Sequence, residues 1–198
     1  MFDPMIEHLQ AIQRHIQAGE LTEAADRLNA LQAKGARDPR MFLMGVALAE
    51  ASGSAAGALQ AAEMAVKIAP DWAPGRIELA GVLARQGLFD RAVQEADVAV
   101  TAKNVNLAVC ERAVSVANAA GDHERVARYL KQAQRIAPDD LSVRRALGYN
   151  LLERGLHADA LAVFNALMDV ESDNDIVRYG RARAAMVLGQ NDQAKSDF

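Results

Sequence analysis

Met5, Leu9, Ile12 and Ile16 step by four, three and four residues, the spacing of one face of an α-helix. Gly19 interrupts them, where a residue free to adopt a left-handed backbone stops a helix. A second apolar stripe follows, made of Leu21, Ala24, Ala25, Leu28 and Leu31. Together they predict a helix, a glycine turn and a second helix. The pattern returns near the other end, where Leu147, Gly148, Leu151 and Leu152 precede Gly155, and Ala160, Leu161, Phe164 and Leu167 follow it. Strand-like alternation is absent throughout.

The turn glycines form a grid. Gly19, Gly53, Gly87, Gly121, Gly155 and Gly189 recur every 34 residues without a slip, and a fixed period in this range marks a stacked repeat array. Repeats counted from 5, 39, 73, 107, 141 and 175 carry further fixed positions. The twentieth reads Ala24, Ala58, Ala92, Val126, Ala160, Ala194. The twenty-fourth reads Leu28, Ala62, Ala96, Leu130, Phe164, Phe198, and the twenty-seventh Leu31, Ala65, Ala99, Ala133, Leu167. Small or apolar residues at fixed phases suit helices whose backbones cross closely. The expected fold is all-α, a right-handed α-α superhelix (a solenoid) of about six helix–turn–helix repeats, with Ala92, Ala160 and Phe164 inaccessible.

The unit resembles the tetratricopeptide repeat, a 34-residue helix–turn–helix, over about residues 5 to 198 as one array. The fifth repeat carries the likeness best: Leu147-Gly148, Leu151, Gly155, Ala160 and Phe164 match the family's Leu-Gly, large residue, turn glycine, alanine and aromatic. The family's first-helix Trp is replaced by Phe42, Arg76, Cys110, Arg144 and Arg178. The closing proline survives as Pro70 and Pro138 but gives way to Ala36, Asn104 and Ser172 elsewhere. The second repeat is alanine-rich (Ala55, Ala56, Ala58, Ala61, Ala62), which predicts thin packing.

The resemblance implies that the first helices line a concave groove, with positions 2, 5, 6, 9, 12 and 13 facing inward. In the amino half these include Arg40, Leu43, Met44, Ile77 and Gly81, a small and apolar surface. In the carboxyl half they include Arg112, Asn118, Arg145, Tyr149, Tyr179 and Arg183. Arg and Tyr are favoured at binding hot spots. If unpaired, Arg112, Arg145 and Arg183 suit an acidic peptide or a carboxylate. The lysine and asparagine clamp with which some relatives hold chaperone termini is not matched in any repeat.

Composition narrows the remaining readings. A net charge of −4, evenly spread, gives no basic surface for nucleic acid. No apolar run approaches a membrane span or a signal peptide, so a cytoplasmic location is the default. Arginine outnumbers lysine and alanine is abundant, a bacterial habit of composition. The lone Cys110 excludes an internal disulfide and reads as core packing. His8 and His15, or His123 and His157, do not make a metal site, and neither a nucleophile–base grouping nor a phosphate loop is present. No catalytic residue, cofactor or metal is therefore expected. Phe198 falls within the second helix of the sixth repeat; a fragment of a longer protein is expected, with Met1 as its genuine start. The sequence thus points to a scaffold binding a protein or peptide, acidic by the arginine count. Two alternatives stand beside it: an accessory domain of a larger bacterial enzyme (sulfotransferase, methyltransferase, glycosyltransferase or hydroxylase), and self-association through an uncapped last repeat.

Overall fold

The computed structural model describes residues 3–197, and these form twelve α-helices and no strand. Phe198 and Met1, on which the expectations about the chain's ends rest, lie outside the described residues. The first helices of the repeats are α1 (Pro4–Gln17), α3 (Pro39–Ala51), α5 (Ala73–Arg85), α7 (Leu107–Ala119), α9 (Leu141–Glu153) and α11 (Asp175–Val187). The second helices are α2 (Leu21–Ala33), α4 (Ala55–Ile68), α6 (Phe89–Thr101), α8 (His123–Ile136), α10 (His157–Met168) and α12 (Asn191–Asp197). The chain divides into two compact units, Met1–Val105 and Asn106–Phe198, each holding three repeats.

Local chemistry sets the helix ends. Asp3, Asp38, Ser54, Asn106, Asp122, Asp140 and Asn174 each accept a backbone N–H of the helix they open, satisfying donors that the helix itself leaves unpaired. The first helices all stop in one way. The six grid glycines take φ between 69° and 76°, and the next N–H reaches back five residues, as from Leu156 to the Leu151 carbonyl at 2.9 Å. This closes a left-handed cap over otherwise orphaned carbonyls. A β-branched side chain at φ 75° strains against its own backbone. Gly155→Val is therefore expected to cost about 1 kcal/mol or more, read from urea unfolding against a Ser52→Ala control on an exposed helix end.

Packing follows the grid. Every described residue at the twentieth, twenty-fourth and twenty-seventh positions is buried. In the first unit Ile12, Ala24, Leu28, Leu31 and Met41 form one cluster. In the second, Leu152, Phe164, Leu167, Val177, Ala184 and Ala185 belong to another. Ala92 and Ala160 have no exposed surface, so Ala92→Leu is expected to cost about 1–3 kcal/mol through overpacking; an unchanged thermal midpoint would contradict this packing.

Arginine at the fourth position has a role that sequence did not suggest. Arg76 Nε donates to the Pro70 carbonyl at 2.8 Å, and Arg144 Nη2 to the Pro138 carbonyl at 2.9 Å. Each ties its helix to the preceding loop, and Arg76 also pairs with Glu95 at 2.6 Å. Where proline is missing after α6, Asn104 Oδ1 accepts the Ala73 N–H at 3.2 Å, so a side chain holds that loop instead.

Candidate functional site

In the second unit, α9 and α11 bring four of the sequence-selected residues together. Asp140 and Asn174 cap these helices and so fix where their side chains begin to turn. Tyr149 lies edge-on to Phe164, with ring centroids 5.2 Å apart at 75°. Its hydroxyl donates to the Ile176 carbonyl at 2.6 Å, bridging α9 to the start of α11. Burial pushes the Tyr149 phenol above its ordinary range, with Arg183 opposing and Tyr179 adding to the shift. Tyr149, Tyr179 and Arg183 are thus electrostatic neighbours. Ile176, Tyr179, Met186 and Val187 make an exposed stripe on α11 around Arg183, with Tyr179 51% exposed.

The arginines are not bare, which corrects the expectation of unpaired polar ends. Arg145 Nη1 meets Glu171 Oε1 at 2.6 Å, and both side chains are mostly buried. Arg183 Nη2 meets Glu153 Oε1 at 3.3 Å, with both partners more exposed. Each acid comes from 26 or 30 residues away; Glu171 lies in the loop between α10 and α11 and Glu153 lies on α9, so neither pair runs along one helix. Arg112, on α7, and Tyr179 also have partners. Exposed pairs contribute about 0–1 kcal/mol, so Arg183 can exchange partners at little cost. Arg145 cannot, because its removal would strand a mostly buried carboxylate.

The first unit departs further from the sequence reading. Arg40 is bound bidentately to Asp38 and reaches Asp3 at 2.8 Å, joining the caps of α1 and α3. Its guanidinium is structural, held by the two carboxylates that raise its pKa. Met44 and Leu43 are half-buried, and Met44 packs on the core around Ile12. Ile77 and Gly81 are buried outright, since small neighbours let the helices close over positions expected to line a groove.

Each unit also holds a pocket that the sequence did not reveal. One of about 370 Å³ is lined by Glu50, Gly53, Ala55, Ala58, Val82, Arg85 and Gln86. Ala55 and Ala58 of the alanine-rich second repeat form part of its wall. Another, of about 190 Å³, is lined by residues including Val114, Asn118, His123, Val126, Tyr149, Asn150 and Glu153. Both use repeat positions 12, 17 and 20 of one repeat and 10 and 13 of the next. In both, a side-chain amide from the following repeat donates to the carbonyl that opens the second helix: Gln86 to Ala55 at 2.8 Å, and Asn150 to His123 at 3.0 Å. Among the described residues no group of three or more His, Cys, Asp or Glu is placed to hold a metal ion. Cys110 is fully buried, and burial followed by nearby Glu111 pushes its thiol pKa up. No described helix is long and apolar enough to cross a membrane.

No protein-family model matches the sequence, and no curated protein matches it. Solved structures do match the fold. The chain superposes on YrrB, a TPR protein with an unusual peptide-binding site, with a TM-score of 0.68 at 16% identity, over 85% of this chain and 87% of that one. It superposes on PilF of Pseudomonas aeruginosa with a TM-score of 0.70 at 16% identity, over 96% and 87%. The C-terminal part of a TPR repeat-containing protein from Cytophaga hutchinsonii gives a TM-score of 0.73 at 17% identity, over 96% and 76%. With the 34-residue grid, the glycine caps and the buried positions 20, 24 and 27, these likenesses establish that the chain has the tetratricopeptide-repeat fold.

Proposed function

We propose that this chain is a protein-interaction scaffold whose second unit binds a peptide or partner segment on the face made by α9 and α11. The observation that carries the reading is the exposed stripe of Ile176, Tyr179, Met186 and Val187 beside Arg183. Isolated exposed apolar residues are ordinary, but a contiguous set with a tyrosine and an exchangeable arginine has the composition of an interface centre. YrrB supports the reading by its peptide-binding site, and the Cut9–Hcn1 pair by its place in the APC/C hetero-tetramer. A carboxylate on the partner would displace Glu153 from Arg183, so the acidic preference expected from sequence narrows to a single contact.

The test is selection of peptides from a random display library against the full chain. Affinity is then compared across Tyr179→Ala, Arg183→Ala and an Arg145→Ala, Arg183→Ala double variant. Truncating a hot-spot residue costs about 2 kcal/mol or more, so at least a tenfold loss is expected for Tyr179→Ala. Undiminished binding by all three variants would move recognition away from this face, toward Leu43 and Met44 or off the chain.

A further inference from the structure

The pocket in the second unit has mostly apolar walls and one buried polar residue, Asn150. Val114, Val126, Leu130 and Ala146 make those walls apolar. Asn150 lines it too, although only 5% exposed. Position ten is Arg14 in the first repeat and Leu48, Val82, Val116 and Ala184 in four others, so an aliphatic residue suits the packing in most repeats. The bond from Nδ2 to the His123 carbonyl fixes which way the amide points. Its Oδ1 is left with no hydrogen-bond partner among the described residues. At the rim stand the exposed amide of Asn118 and the carboxylate of Glu153, which is held only by the 3.3 Å contact to Arg183.

We propose that this pocket seats one glutamine side chain of a bound peptide; the inference rests on the reading of the α9–α11 face as a peptide site. The pocket's 190 Å³ equals about six waters at ~30 Å³ each. That is below the roughly 300–1,000 Å³ of cavities that take whole small ligands, and it suits a single side chain. A carboxamide brings two N–H donors and one acceptor. Its donors match Asn150 Oδ1 and the Glu153 carboxylate, its oxygen matches the Asn118 amide, and its two methylenes lie on the valines and Leu130. Charge excludes the near relatives. Glutamate offers no donor and sets its carboxylate against two acceptors. Lysine carries its charge toward Arg183, whose field already reaches Tyr149.

The experiment titrates the full chain with N-acetyl-glutamine methylamide and with its glutamate, lysine and norleucine counterparts, followed by side-chain NMR. The glutamine probe is expected to shift the methyl signals of Val114, Val126 and Leu130 and the Asn150 amide. Norleucine, which keeps the stem and loses the head, should bind about tenfold more weakly or worse. Asn150→Ala should abolish the response, and Asn118→Ala should reduce it several-fold. If Asn150→Ala does not fold, Ala146→Leu, which fills the pocket from its wall, takes its place. Equal binding of norleucine or of lysine overturns the proposal, as does a glutamine probe that shifts none of these signals. The two readings fail separately. A glutamine response without any peptide dependence on Tyr179 or Arg183 sinks the face and keeps the pocket. Selected peptides that need Tyr179 but tolerate any residue at every position sink the pocket and keep the face.

Discussion

Phe164→Ala is expected to cost about 3–5 kcal/mol, the range for emptying an aromatic site in a packed core. Phe164 has no exposed surface and belongs to the main cluster of the second unit. Its ring lies between two backbones that approach it only because they carry glycine. A β-carbon at Gly148 would stand 2.8 Å from the ring tip, and one at Gly180 would overlap the ring. Backbones cannot collapse onto the vacated space as flexible side chains do, so the cavity term should be close to full. For chains of this length a loss of that size lowers the thermal midpoint by roughly 6–20 °C. The edge contact with Tyr149 goes too, so the near-ultraviolet dichroism of the tyrosines should change in the folded variant. A midpoint within a degree or two of the parent would mean that the ring is not wedged in this way.

Gly180→Ala is expected to destabilise by about 1–3 kcal/mol, against the usual direction for such a change within a helix. Alanine ordinarily gains about 0.8–1 kcal/mol over glycine there. The sign reverses because the added methyl enters the space of the Phe164 ring, and the ring cannot retreat toward Gly148. The pair makes a sharp cycle. In a Phe164→Ala background the same Gly180→Ala change should be neutral or stabilising, since the obstacle is gone and the helix preference returns. Additive effects would show that the two positions do not touch.

The sequence made the repeat, its turns and its buried positions legible for a simple reason. Each is a local requirement repeated six times. Gly155 must take a left-handed backbone, and Ala160 must fit where two helices cross, whatever the rest of the chain does. The candidate surface was legible only in part. Tyr149, Tyr179 and Arg183 fall on positions expected to face inward, and they lie close to one another. The partners of Arg145 and Arg183, and the second partner of Arg40, were not legible, because Glu171, Glu153 and Asp3 lie 26 to 37 residues away and no local pattern relates them. Asn150 was missed for another reason: position ten is not among the inward phases. The signal was present, as an asparagine where four other repeats hold an aliphatic residue.

The ion pair over the larger pocket makes repeat order matter. Arg85, at position thirteen of the third repeat, is paired with Glu50, at position twelve of the second. The fifth repeat carries Glu153 at that thirteenth position. A chain rearranged so that the fifth repeat followed the second would set Glu153 against Glu50, two carboxylates where a pair now stands. The shared period makes the repeats look like interchangeable bricks, yet this joint is keyed. Placing any other repeat behind the second would require recoding its position thirteen to a cation.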